Sequence, residues 1–414
     1  NPAKYNGYKV YGADGCQITL EVADAILAEI EAVDVFDDVR IMDFEAGLSE
    51  GKIKYIEDDV ITGFIDAVSE RALNPKEIDK NVSIVYTPLN GTGRYCVTRC
   101  LKENGYTQIT IPKEQEMPDG NFTTCPYPNP EIREALEVGL KKAKEVGSDL
   151  LLATDPDCDR VGVAVKEGDD YQLISGNQMG ILLFDYICKT YKANGTMPEN
   201  PVVVTTIVST KMIDKIAADY GVEVRRVLTG FKFIGEQIGF LEADGEVDRY
   251  IFGFEESYGY LSGGHVRDKD GVNASLLICE MFPHYKAMGI SLVQMLNQLY
   301  EKYGYFKEAL QSITFEGASG AKKMADLMES LRTNAPKEVA GYKVIDVKDY
   351  KAGIGNLPKS NVLEFNMEDD INVLVRPSGT EPKIKMYYLV KGSSEQAGAE
   401  IVAALESYFT EVCK

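Results

Sequence analysis

Thr154-Asp155-Pro156-Asp157-Cys158-Asp159-Arg160 sets three carboxylates at alternate positions. In extended or turning backbone, alternate side chains can share a direction. Clustered carboxylates repel unless a cation neutralises them, and hard oxygen ligands select Mg2+, Mn2+ or Ca2+. A second group, Arg376-Pro377-Ser378-Gly379-Thr380-Glu381-Pro382-Lys383, joins a guanidinium, hydroxyls, a glycine that lets backbone N–H groups approach, and a lysine. Those parts make a phosphate cradle. A third, Gly253-Phe254-Glu255-Glu256-Ser257-Tyr258-Gly259, offers acceptors and a donor for sugar hydroxyls. Just after it, the Gly263–Gly271 stretch carries cations, Lys269 among them, that can meet a phosphate. Leu228-Thr229-Gly230-Phe231-Lys232 leads into a helix whose N-terminus favours anions, although alone it is an ordinary turn.

Two competing readings of the acidic loop are weaker. An EF-hand needs a glycine and a glutamate where counting from Asp155 gives Arg160 and Lys166. A phosphatase of the haloacid-dehalogenase type also has an acidic motif after a strand, but the third carboxylate, Asp159, suits a metal cage better.

These loops need elements to hold them. Apolar runs at Val82–Tyr86, Leu150–Ala153 and Val161–Val165 read as strands. Thr92–Asn104 reads as a helix stopped by Gly105, and Asn129-Pro130-Glu131 as the start of another that ends at Gly147. The alternation continues with strands at Val202–Ile207, Val222–Val227 and Tyr250–Phe254, and helices between and after them. It predicts an α/β protein with largely parallel sheets. After Gly304 the texture changes, with strands near Ile313–Phe315, Val362–Phe365, Ile371–Val375 and Ile384–Val390 around a helix at Ala321–Leu331. That stretch reads as a smaller α+β domain.

Composition narrows the partners. The 414 residues carry 44 Lys and Arg against 65 Asp and Glu, a net charge of −21. Such acidity disfavours nucleic acid or an anionic membrane as partner. No apolar run approaches the ~18 residues of a membrane span. With two histidines, a His-rich metal site is excluded, and a Ser-His-Asp triad would rest on His265 or His284. The eight cysteines form no C-x-x-C pair, which fits free thiols in a reducing cytoplasm. No signal peptide is evident, and the opening Asn1-Pro2-Ala3, without an initiator Met, suggests a processed or truncated chain.

The order of the loops resembles the α-D-phosphohexomutase family, which includes phosphoglucomutases and phosphomannomutases, over essentially the whole chain. The resemblance implies Mg2+ on Asp155, Asp157 and Asp159, with Arg160 completing the motif at the substrate. It implies sugar hydroxyls on Glu255 and Ser257, with Phe254 in the family's usual glycine position. It assigns Thr229 and Gly230 to a substrate loop, Lys269 to a further substrate contact, and Arg376, Ser378, Gly379 and Thr380 to the substrate phosphate. The family's catalytic motif, Thr-Ala-Ser-His-Asn-Pro followed by Asn-Gly-x-Lys, is matched only in its tail, by Asn1-Pro2 and Asn6-Gly7-Tyr8-Lys9. Lys9 thereby matches a lysine thought to act as general acid/base, and the phosphoserine would lie just before residue 1.

The expected fold is thus repeated three-layer α/β domains around a central cleft plus a C-terminal α+β domain. Residues 1–50 would be a remnant of domain I, 51–172 domain II with the metal loop, 173–304 domain III with the sugar loops, and 305–414 domain IV with the phosphate loop. The resemblance implies a cytoplasmic enzyme that interconverts glucose 1-phosphate and glucose 6-phosphate through hexose 1,6-bisphosphate. The wording of the sugar loops leans toward phosphoglucomutase or phosphopentomutase relatives over phosphomannomutases. A metal-dependent phosphatase and a non-catalytic sugar-phosphate binder remain the alternatives outside the family. Without its nucleophile the chain itself would be inactive and would expose apolar surface near its start.

Overall fold

The computed structural model describes residues 3–4, 9–74, 78–317, 319–378 and 382–414. Gly379 and Thr380, like Asn1, Pro2, Asn6, Gly7 and Tyr8, lie outside the described residues.

The first sheet contains β1 (Ile84–Thr87), β2 (Ile109–Thr110), β3 (Leu150–Thr154), β4 (Val161–Glu167) and β5 (Asp170–Ile174), in the order β2-β1-β3-β4-β5. Residue parity builds its layers. Val85, Leu151 and Ala153 face the helix Arg133–Val146 through Leu136, Leu140 and Ala143. Ile84, Tyr86, Leu150 and Leu152 face the opposite way, toward a larger core. That core is shared. The helices Gly176–Asn194 and Gly271–Ala287 fill it from Leu182, Tyr186, Leu276 and Leu277, and Val203, Phe252 and Phe254 enter it from the second sheet. Phe252 and Phe254 are fully buried, and each contributes about 1.5–3 kcal/mol relative to an exposed ring. Gly180 permits the close approach, since a Cβ there would sit 2.4 Å from the Phe254 ring.

The second sheet contains β6 (Val202–Thr206), β7 (Glu223–Val227), β8 (Tyr250–Glu255) and β9 (Gly259–Leu261), in the order β7-β6-β8-β9. Its other face, through Val202 and Val204, packs on Phe231, Ile234 and Ile238 of the helix Phe231–Ala243.

The third sheet is antiparallel: β10 (Tyr305–Thr314), β11 (Glu338–Val339), β12 (Tyr342–Asp349), β13 (Leu363–Met367), β14 (Ile371–Pro377) and β15 (Lys383–Gly392). Val373, Val375, Met386 and Tyr388 face its own helices, Gly320–Thr333 and Glu395–Val412. Leu374, Tyr387 and Leu389 face the other way and join the core of the second sheet. The fold is the expected one, α/β units followed by an α+β unit, with one correction. The sheets are less parallel than the alternation suggested, for β3-β4, β4-β5 and β8-β9 are antiparallel. The link from Asp155 to Arg160 is too short for a parallel crossover, which needs a dozen or more residues.

Between Leu20 and Val60 the chain is loosely covered. The helix Leu20–Glu31 buries none of its residues, and Phe36 and Ile41 are each 91% exposed.

Glu308, on β10, lies beside the Thr210 side chain, in the turn after β6. Burial pushes Glu308 up from 4.5 to about 7. The sign of the linkage follows. A carboxylate raised in the folded state contributes stability that is whole below its unfolded pKa and is lost as pH rises through its folded one. The melting temperature should therefore fall between about pH 5 and pH 8, and less steeply in Glu308→Gln. Equal slopes in the two proteins would refute this.

Candidate functional site

The acidic loop follows β3, where Thr154 is fully buried and its hydroxyl meets the Tyr86 hydroxyl at 2.8 Å. Asp155 Oδ1 accepts from the backbone N–H groups of Asp159 (3.0 Å) and Arg160 (2.9 Å), which bends the loop back on itself. Cys158, at φ 58°, takes the left-handed turn position. Pro156 O accepts from the Thr92 backbone N at 2.8 Å, and Gly91 must be glycine, because a Cβ would lie 2.2 Å from Pro156 Cα. On its other side the loop is tied to the second sheet. Gly271 N donates to Cys158 O (3.0 Å), Val161 N donates to Tyr258 O (3.0 Å), and Arg160 and Gly259 form an antiparallel bridge.

One carboxylate oxygen each from Asp155, Asp157 and Asp159 lies within 4.8 Å of the others. Asp155 and Asp159 are buried and Asp157 is exposed. Burial first, then the charges of Asp159 and Asp157, push Asp155 above the usual carboxylate range. Asp159 moves the opposite way. Burial opposes its ionisation, but the ammonium groups of Lys269 and Lys9 outweigh that and hold it low. Lys269 Nζ lies 2.9 Å from Asp159 Oδ2. Lys9 Nζ donates to the same oxygen and, at 2.8 Å, to Asp157 Oδ2. A set of hard oxygens whose mutual repulsion already raises one pKa fits a divalent cation.

Arg160 Nη1 donates to Glu131 Oε1 at 2.6 Å, and its Nε lies 3.6 Å from Asp155 Oδ2. Arg160 and the three aspartates line a cavity of about 300 Å³ with Lys9 and Lys269. Glu255 is 5% exposed, and its Oε1 accepts from Gly230 N at 2.8 Å. That contact joins the Thr229-Gly230 turn to the end of β8, and Gly230, at φ 118°, is where glycine is required. Burial raises the Glu255 pKa, while the nearby cations Lys269 and Arg160 oppose the rise. Ser257 lies half-buried two residues beyond.

Arg376, near the end of β14, stands directly across from Lys385 on β15, with its side chain hydrogen-bonded to Tyr387. Parity puts Arg376 and Lys385 on the face that Leu374 and Tyr387 use against the second sheet, so the cations extend that face toward Glu131 and Glu256. Ser378 N donates to Lys383 O at 2.7 Å and closes the hairpin. The acidic loop, Lys9, Lys269, Glu255 and the Gly230 turn are thus neighbours, and Arg376 lies on a strand whose partnered face turns toward Glu131 and Glu256, with Ser378 just past its end. Sequence reasoning missed Glu131 as an Arg160 partner, having taken it only as an acid at a helix start. It also missed Lys385, which strand period from Lys383 would have found.

Residues 62–168 match the family description "Phosphoglucomutase/phosphomannomutase, alpha/beta/alpha domain II", and residues 175–303 match "alpha/beta/alpha domain III" of the same family. A phosphoglucomutase of Staphylococcus saprophyticus is 33% identical over 400 residues, which cover 94% of this chain and 71% of that protein. Among solved structures, a Thermus thermophilus protein described as a phosphomannomutase has a TM-score of 0.59 at 20% identity, over 85% of this chain and 65% of its own. The chain therefore spans just under two thirds of that protein. An Aspergillus fumigatus N-acetylphosphoglucosamine mutase, solved with GlcNAc-6P and magnesium, has a TM-score of 0.56 at 13% identity, over 100% of this chain and 88% of its own. These structures share its fold. With a relative this similar over most of its length, the chain belongs to the phosphoglucomutase/phosphomannomutase family.

Proposed function

We propose that the chain carries the metal, sugar and phosphate loops of a phosphoglucomutase, which interconverts glucose 1-phosphate and glucose 6-phosphate by way of glucose 1,6-bisphosphate. The observation that carries this is the meeting of Lys9, Lys269 and three aspartates around one cavity next to the Glu255 carboxylate. In this reading residues 51–172, 173–304 and 305–414 act as three successive units, and 1–50 as the end of a preceding one.

Asp155, Asp157 and Asp159 would hold Mg2+ through one oxygen each, and the cation would supply charge neutralisation for a transferring phosphoryl group. The chain's own groups do the rest. Glu255 and Ser257 take the sugar hydroxyls, and the Gly230 N–H keeps Glu255 oriented. Arg160 and Lys269 meet anionic oxygens of the substrate, and Glu131 holds the Arg160 fork in place. Arg376 and Ser378 grip the phosphate that is not reacting, and the resemblance adds Gly379 and Thr380. Lys9 Nζ carries the proton to or from the sugar oxygen. Its pKa is raised, because Asp159 and Asp157 outweigh the effect of burial, so it rests as the acid. Free thiols at all eight cysteines agree with a reducing cytoplasm, and no helix of the described residues is long and apolar enough to cross a membrane.

Calorimetric titration with glucose 1,6-bisphosphate in Mg2+ tests the reading, with mannose 1-phosphate and ribose 1-phosphate as competitors. The glucose compound should bind tightest. Arg376→Ala removes a charge-assisted contact and should weaken binding by about 1.5–3 kcal/mol. Unchanged affinity in that variant would sink the phosphate assignment. Tighter ribose 1-phosphate binding would move the reading to a phosphopentomutase, and steady phosphate release would favour a phosphatase.

A further inference from the structure

Among the described residues, the segment that carries Lys9 has few anchors. Ile18 N donates to Val10 O at 3.0 Å, Tyr11 and Gln17 form an antiparallel bridge, and Cys16 Sγ donates to Gly235 O at 3.6 Å. None of these reaches the acidic loop. A lysine stem has several rotatable bonds, so its ammonium is placed only as well as the backbone beneath it.

Tyr11 stands two residues after Lys9. The Tyr11 hydroxyl donates to Asp268 Oδ2 at 2.7 Å. Burial first, and then Asp268, raise the Tyr11 pKa, so the phenol stays a donor. The other Asp268 oxygen, Oδ1, accepts from Lys269 N at 2.8 Å and lies 3.4 Å from Lys269 Nζ. The Asp268 side chain is 12% exposed. Its two oxygens therefore serve two segments distant in sequence. Donors and acceptors alternate through Tyr11, Asp268, Lys269, Asp159, Lys9 and Asp157, and both ammonium groups end on the same Asp159 oxygen. A cavity of about 400 Å³ runs along this series.

We propose that Tyr11 and Asp268 are positioning residues that fix the Lys9 ammonium on Asp159 and set its spacing from Lys269. The chemical use of that position rests on the function proposed above, but the position itself does not.

Amine-selective acetylation of the full chain, without ligand and read by mass spectrometry at each lysine, tests it. Tyr11→Phe removes only the hydroxyl, and Asp268→Asn keeps the shape while removing the charge. In both variants Lys9 should react about ten-fold faster or more, as expected for loss of a hydrogen bond to a charged group. Lys269 should react faster in Asp268→Asn but not in Tyr11→Phe, and Lys286, paired with Asp149 elsewhere, should not change. Unchanged Lys9 reactivity in both variants overturns the proposal. A uniform rise at all lysines also overturns it, because it would assign the pair to stability alone. If Lys9 responds as expected while glucose 1,6-bisphosphate fails to bind, the positioning stands and the functional reading falls.

Discussion

Given glucose 1-phosphate, a glucose 1,6-bisphosphate primer and Mg2+, the 414-residue chain alone is expected to form no glucose 6-phosphate. Moving a phosphoryl group between two oxygens of one sugar requires a carrier, and none of its serines stands in the family's catalytic context. The structure gives the candidates other work. Ser209 is fully buried against the Thr206 hydroxyl at 2.8 Å. The Ser69 hydroxyl accepts from Asn104 Nδ2 at 2.8 Å, on the far end of the helix Gly93–Glu103 from the acidic loop. Ser83 N donates to Asp149 ahead of β1, at the strand ends opposite that loop. Ser257 and Ser378 are assigned to binding in the proposed function. A coupled assay on chain freed of any longer enzyme decides the matter. Turnover in the usual range of ~1–1000 per second would place the nucleophile within these residues.

The second large effect is expected at the metal loop. Asp159→Ala should abolish measurable Mg2+ binding, a loss of about 100-fold or more, since changes even one shell further out cost 10–100-fold. Asp159 is the choice because its carboxylate is held low by two lysines, whereas burial and the neighbouring carboxylates raise Asp155. The same change leaves Lys269, 10% exposed, with the 3.4 Å contact to Asp268 as its remaining ion pair among the described residues. A drop of about 1–3 kcal/mol in unfolding free energy should accompany it. Calorimetry and urea melts on one preparation separate the two effects. Retention of parental Mg2+ affinity would remove Asp159 from the ligand set.

The local parts of this site were legible because their chemistry is local. The three aspartates stand within five residues of one another, and strands flank them on both sides. The strand-helix alternation gave the layers, because apolar parity is a short-range signal. What could not be read was pairing across the chain. Glu131 reaches Arg160 over 29 positions and Tyr11 reaches Asp268 over 257, and neither leaves a periodic trace. Strand β10 starts at Tyr305, eight residues before the apolar stretch that suggested it. Its Lys-Glu-Ala-Leu-Gln run has the composition of a helix, and pairing with β15 along ten residues overrides that preference. Strand β12 escaped notice for a related reason. It is mostly half-exposed and rich in Lys and Asp, so it lacks the apolar run by which strands were found.

The bridge between Arg160 and Gly259, with the Val161 N to Tyr258 O bond beside it, is made of backbone atoms. Backbone hydrogen bonds are indifferent to side-chain identity. The spacing between the acidic loop and the loop carrying Glu255 and Ser257 is therefore a property of the strand ends rather than of the residues that touch a ligand. In the proposed function, substitutions at Glu255 or Ser257 would alter the sugar contacts while leaving that spacing in place.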